Sequence, residues 1–197
     1  MATSYSDRVT RYLEVSRDAV SAALADRTFV EAVSRTAEIV TDALRTGKKI
    51  LLAGNGGSAA DAQHLATELM VRFYLDRAPL PALALTTDGV TLTATGNDLG
   101  FEHVFSRQVL ALGQPGDVFL GLSTSGRSPN ILAACKAARE RGMTVIGFTG
   151  AKGEAMAGLC DLTVRVPSDK TPLIQQVHIA AGHIVCEIAE EALAKRA

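Results

Sequence analysis

From Lys49 onward the chain alternates short, almost wholly apolar runs with longer stretches in which apolar residues return every third or fourth position. The runs Ile50–Ala53, Ala82–Leu85, Val118–Leu122, Thr144–Phe148 and Leu162–Val166 are rich in aliphatic residues and predict strands buried on both faces. The stretches between them carry Ala, Leu, Glu and Arg at helical spacing. This rhythm predicts an α/β fold, a doubly wound parallel five-stranded sheet flanked by helices. Ahead of it, from about Ser4 to Arg45, helical spacing predicts two amphipathic helices, with Asp26 capping between them and Gly47 ending the second. Their apolar faces need a partner, either the body of the fold or another subunit. A closing helix starts at Thr171-Pro172, a cap followed by proline in the first turn, and runs toward Ala194. No linker or low-complexity tract interrupts the chain, so residues 1–197 read as one domain: 1–46 a helical N-terminal extension, 47–197 the α/β core.

Two of the apolar runs break into a small Gly/Ser loop that leads straight into a helix. The first is Gly54-Asn55-Gly56-Gly57-Ser58 and the second is Ser123-Thr124-Ser125-Gly126-Arg127-Ser128. A helix start offers unpaired N–H groups and a partial positive charge, and glycine lets a phosphate approach the backbone while serine hydroxyls add donors. Both loops fall at carboxyl ends of strands, where parallel sheets bind ligands. Neither carries the glycine spacing of a dinucleotide fold or the Gly-Lys-Ser/Thr end of a nucleotide loop, so a sugar phosphate fits better than NAD or ATP.

Composition narrows the partners. A chain of 197 residues can bury about 70% of its unfolded surface without metal or disulfides to hold it. Any metal then serves chemistry. With 20 basic and 21 acidic residues and no cationic block, neither nucleic acid nor an anionic membrane is indicated as a partner. Cys135, Cys160 and Cys186 are odd in number and lie within apolar patterns, as buried thiols of a reducing compartment do. The N-terminus lacks a signal-peptide core and no segment reaches membrane-span length, which predicts a cytoplasmic protein.

The helix opened by Ser58 places Asp61, His64 and Glu68 on one face, a turn apart. Imidazole and carboxylate four residues apart can grip one divalent ion, and zinc favours such mixed ligands. The bland alternative is an exposed polar face. The closing helix holds Gln175, Gln176, His178, His183 and Glu187 among many aliphatic residues. A histidine in so apolar a helix is either hydrogen-bonded in the core or ligated. Helical projection sets Gln176 about 20° and Gln175 about 80° from His183, and geometry alone does not choose between them. Thr95-Gly96-Asn97-Asp98-Leu99-Gly100-Phe101 reads as a turn between helical segments, whose Asn97 and Asp98 are turn formers or hold sugar hydroxyls.

Taken together, the two loops, the Asp61-x-x-His64-x-x-x-Glu68 helix, Gly96-Asn97-Asp98-x-Gly100-Phe101 and Ile174-Gln175-x-x-His178-Ile179-x-x-x-His183 resemble the SIS (sugar isomerase) domain and, within it, the bacterial phosphoheptose isomerases. The resemblance covers nearly the whole chain. It implies an aldose-ketose isomerase that converts sedoheptulose 7-phosphate to glycero-manno-heptose 7-phosphate through an enediol, ahead of activated heptose for lipopolysaccharide or capsule. It implies one zinc per subunit on His64, Glu68, Gln175 and His183, which favours Gln175 over Gln176. Ser123, Thr124, Ser125 and Ser128 would hold the phosphate, with Asn55, Gly56, Gly57, Ser58, Glu68, Asn97, Asp98 and Gln175 around the sugar. Glu68 would be the base, His183 the acid, and Asp61 a supporting or proton-relay group. The turn carrying Asp169 differs from that of enteric relatives, and because a zinc-bound carboxylate is a weaker base, Asp61 and Asp169 stay open beside Glu68 as the group that takes the proton. The resemblance also implies a homotetramer with active sites between subunits. Non-catalytic SIS proteins exist as sugar-phosphate sensors and as the adaptor of the replication initiator DnaA. The adaptor lacks the counterparts of Glu68 and His183, and both are present here.

Overall fold

The structure, a computed structural model, describes residues 4–194; the first three and last three residues of the predicted domain lie outside the described residues. The elements run α1 (Tyr5–Ala25), α2 (Arg27–Arg45), β1 (Ile50–Gly54), α3 (Gly57–Met70), β2 (Ala82–Ala84), α4 (Gly89–Asp98), α5 (Ser106–Leu112), β3 (Val118–Ser123), α6 (Pro129–Glu140), β4 (Thr144–Thr149), α7 (Glu154–Ala157), β5 (Leu162–Arg165) and α8 (Thr171–Leu193). The five strands form one sheet in the order β2-β1-β3-β4-β5, and every pairing is parallel. The α/β expectation therefore holds.

Alternation along the strands builds a core on each face of the sheet. Ile50, Leu52, Leu120, Leu122, Ile146 and Phe148 meet α2, α3 and α8 on one side. Leu51, Ala53, Phe119 and Val145 meet α5 and α6 on the other. Because both faces are covered, the strands read in the sequence as unbroken apolar runs.

Asp26 ends α1 and caps α2 by accepting from the backbone N–H groups of Thr28 and Phe29, an arrangement worth about 1 kcal/mol. The two leading helices differ in what they bury. Phe29, Val33, Ala37, Val40 and Leu44 seat α2 in the core, whereas α1 buries only Ala23 and leaves Tyr5, Val9, Leu13 and Leu24 exposed. So α2 buries its apolar face within the subunit, whereas α1 packs on the core only through Ala19 and Ala23.

The stretch 95–101 departs from the expected turn. Thr95 to Asp98 form the last turn of α4, whose start is fixed by Asp88 accepting from Val90 and Thr91 N–H, and the chain reverses only at Gly100 (φ 98°). Gly, Asn and Asp disfavour helix intrinsically, but a good cap and Thr95 buried on the inner face carry the helix through them.

His178 is wholly buried, and its Nε2 lies 3.2 Å from the Thr149 carbonyl, which accepts its proton. This is the core histidine among the alternatives for α8, hydrogen-bonded through Nε2 while Nδ1 is buried without a partner. Burial pushes its pKa down to about 4, with the Thr149 bond opposing only partly. The unfolded chain takes up a proton near pH 6.5, which the folded chain refuses until about pH 4, so this term weakens the fold as pH falls through that window. Urea unfolding at stepped pH should show a loss of about 3 kcal/mol from this group between those limits, and His178→Gln should flatten that part of the profile.

Candidate active site

The carboxyl ends of β1 and β3 lie side by side, pairing Gly54 with Leu122, and so bring the two small-residue loops together. In the first loop Gly56 adopts φ 55° and passes the chain into α3, with Ser58 N–H bonding back to the Asn55 carbonyl. The positive φ explains glycine there. In the second loop Gly126 has φ 62° and lies against Gly153 and Thr149, so a side chain would be both strained and crowded. The Ser123 and Ser128 hydroxyls stand 2.9 Å apart, and the Ser125 hydroxyl accepts from Arg127 N–H at 3.2 Å. Ser128 is the residue before α6, so these hydroxyls cluster at a twelve-residue helix's positive end.

An amide pair ties the loops to each other. Asn55 donates to the Asn130 carbonyl oxygen at 2.9 Å, and Asn130 donates back to that of Asn55 at 2.8 Å. Asn130 is buried in the first turn of α6 and has no part in the motifs read from the sequence. Asn55 therefore spends its amide on the partner loop in this structure.

Above the loops, α3 and α8 lean together and bring three ligand atoms to one point. His64 Nε2 and His183 Nε2 are 2.8 Å apart, and His64 Nε2 is 3.2 Å from Glu68 Oε1. All three ligand atoms lie within 4.8 Å of one another. Atoms bound about 2.0–2.1 Å from a common tetrahedral centre sit about 3.3 Å apart, so the trio fits a zinc-sized ion after a small relaxation. Gln175, one turn into α8, lies over Gly57: a methyl group on Gly57 would fall 2.5 Å from Gln175 Nε2. Gln176 has no such relation to the first loop among the described contacts.

Asp61 stands one turn before His64, with Oδ2 buried and without a hydrogen-bond partner. Burial raises its pKa above the usual carboxylate range, opposed by His64. Asn97 and Asp98 are exposed and bond to each other at 2.7 Å. Asp169 is likewise exposed, held below its ordinary pKa by the Lys152 ammonium 3.1 Å away. The structure thus gathers the Gly/Ser loops, Asp61, His64, Glu68, Gln175 and His183, and leaves Asn97, Asp98 and Asp169 at the surface of the subunit.

The close fit at Gly57 gives a prediction. Gly57→Ala sits at the first position of a helix with ordinary φ, so stability should hold or rise by up to about 1 kcal/mol. Turnover should nonetheless fall at least about tenfold because Gln175 must move, given that small misplacements cost up to about 10². Thermal unfolding and steady-state kinetics on one preparation check both halves.

A second group of residues lay outside every motif. Glu190, near the end of α8, accepts from the backbone N–H groups of Phe73 (2.8 Å), Tyr74 (2.6 Å) and Leu75 (2.8 Å). Arg77 sits with its Nε 3.0 Å from Glu190 Oε1, both side chains almost fully buried. Burial opposes the charge on Glu190, but the three N–H groups and the guanidinium outweigh it and keep the carboxylate below its usual pKa range.

The SIS domain family model matches residues 11–150. The phosphoheptose isomerase of Rhodospirillum rubrum is 60% identical over 162 residues, covering 82% of this chain and 86% of its own. That of Bradyrhizobium sp. strain BTAi1 is 52% identical over 98% of each chain. Among solved structures, phosphoheptose isomerase GmhA from Neisseria gonorrhoeae superposes with a TM-score of 0.90 at 43% identity, covering 95% of this chain and all of that one. The phosphoheptose isomerase from Francisella tularensis gives 0.90 at 38% identity, over 96% and 100% of the two chains.

Proposed function

The chain belongs to the SIS family and, within it, to the phosphoheptose isomerases, and from that membership we propose how residues 1–197, read as one SIS domain, carry out the isomerisation. The enzyme interconverts the ketose and aldose forms of a seven-carbon sugar phosphate, sedoheptulose 7-phosphate and glycero-manno-heptose 7-phosphate. The observation that carries the site assignment is the meeting of His64, Glu68 and His183 from two helices beside the serine loops.

The phosphate lies at Ser123, Thr124, Ser125 and Ser128, neutralised by hydroxyls, backbone N–H groups and the α6 end rather than by a cationic cluster. The sugar extends toward Asn55, Gly56, Gly57, Ser58, Glu68 and Gln175, with Asn97 and Asp98, exposed on the last turn of α4, completing the pocket of a neighbouring subunit. Zinc is held by His64, Glu68, His183 and Gln175, a donor set of the right chemistry for it. When bound, the ion stabilises negative charge on the substrate oxygens, a contribution of several kcal/mol in typical cases.

Glu68 takes a proton from C1 of the ketose, and the electron pair shifts to C2 as its carbonyl oxygen receives a proton from His183. The resulting enediol loses its O1 proton to His183 while Glu68 returns a proton to C2, leaving the aldehyde at C1. Protons balance over the cycle. Asp61, one turn before His64 and with Oδ2 buried and unpartnered, serves as the supporting or proton-relay group behind His64.

The exposed apolar side chains of α1 support a homotetramer in which another subunit covers this helix and completes the pocket. No described helix is long and apolar enough to cross a membrane, and the composition supports a cytoplasmic enzyme. Proton NMR of the purified protein with sedoheptulose 7-phosphate alone tests the function. Aldose anomeric signals should grow in; a substrate that binds and stays unchanged would instead make this a sensor.

A further inference from the structure

Resting on the isomerase reading, we propose that the buried Arg77–Glu190 pair is a positioning device that sets Glu68 and His183 in register with each other. Glu68 ends on α3 and His183 on α8, two separate helices, so their mutual geometry needs something that spans the gap. Three contacts do. The Arg77 guanidinium donates from Nη2 to the backbone carbonyl of Glu68 itself at 2.9 Å. That carbonyl lies in the last turn of α3, where helix hydrogen bonding runs out and an arginine both satisfies the oxygen and meets the negative helix end. The same guanidinium pairs with Glu190 on α8, its Nε near Oε1 but off the hydrogen-bond line, so that contact is ionic. Finally, Glu190 gathers the N–H groups of residues 73–75, and the segment so held lays the Phe73 ring against His183, centroids 5.3 Å apart.

His183 and Glu190 stand seven residues apart on α8, two turns along one face, so a carboxylate fixed at 190 carries the orientation of that face. A buried ion pair is a poor way to gain stability, since its desolvation offsets its attraction. Its use here is geometric: Arg77 has a rigid fork, with one arm on α3 and its other edge on α8. Both act through Glu68, His183 and the 73–75 backbone, so both are positioning residues.

The test compares the parent with Arg77→Met, Arg77→Lys and Glu190→Gln, reading zinc affinity by competition with a chromogenic chelator, and kcat and KM for sedoheptulose 7-phosphate. Groups supporting metal ligands typically matter about 10–100-fold, so Arg77→Met should weaken zinc by that factor and lower kcat about tenfold or more, with KM within about threefold. Arg77→Lys, keeping charge but not the fork, should recover part of the loss. A folded Arg77→Met, or a folded Glu190→Gln, whose zinc affinity and kcat stay within about twofold of the parent overturns the proposal. Failure of all three variants to fold overturns it too, by making the pair an element of stability. A parent that binds zinc but isomerises nothing refutes the functional reading alone, because zinc affinity is read without substrate.

Discussion

Glu68→Gln should lower kcat by about 10²–10⁴ while KM changes little, because the substitution keeps shape and hydrogen bonding but removes the group that accepts the C1 proton. The amide remains near His64 and retains one oxygen, so substrate binding at the serine loops, a separate set of residues, should persist. Solvent deuterium incorporation sharpens the reading. Wild-type turnover in D2O should place deuterium at C2 of the product through exchange on Glu68, and the variant should show the exchange and the net reaction falling together. Near-normal turnover in Glu68→Gln would move the base to Asp61, the other carboxylate on this helix face, whose raised pKa and unpartnered oxygen make it the alternative proton acceptor.

Much of this is legible in the sequence. A sheet covered on both faces writes its strands as apolar runs, so Val118 to Leu122 could be assigned from composition alone, and observed β3 extends it only by Ser123. Loops at the ends of such strands are where ligands bind, which made Gly54–Ser58 and Ser123–Ser128 conspicuous. Helical spacing likewise put Asp61, His64 and Glu68 on one face.

The residues that escaped are those whose role depends on partners far along the chain. Asn130 looks like any residue after a proline, and only its pairing with Asn55, 75 positions away, gives it meaning. Glu190 reads as the polar end of an amphipathic helix, yet it is almost wholly buried because the 73–75 backbone turns its N–H groups toward it. A helical projection does not choose between Gln175 and Gln176, because what sets Gln175 apart, its approach to the bare face of Gly57, comes from another element. The stretch 95–98 reads as a turn for the opposite reason: local preference points away from helix, and the Asp88 cap with the burial of Thr95 overrides it.

The other large effect concerns the metal. His64, Glu68 and His183 present two imidazole nitrogens and a carboxylate oxygen to one point, and the two rings can share a single proton. Converging lone pairs of that kind are the donor set that a divalent cation uses. Removing the ion should therefore do two things. Turnover should fall at least about 10³-fold, corresponding to the several kcal/mol of charge stabilisation that a Lewis acid supplies. Thermal stability should also drop, because binding to the folded chain alone stabilises it by mass action.

The most direct measurement is a zinc titration of chelator-stripped enzyme, with conversion of sedoheptulose 7-phosphate followed by proton NMR. The account predicts negligible turnover at the start and recovery that saturates at about one zinc per subunit. Full turnover by metal-free protein, or recovery in His64→Ala and His183→Ala indistinguishable from wild type, would contradict it.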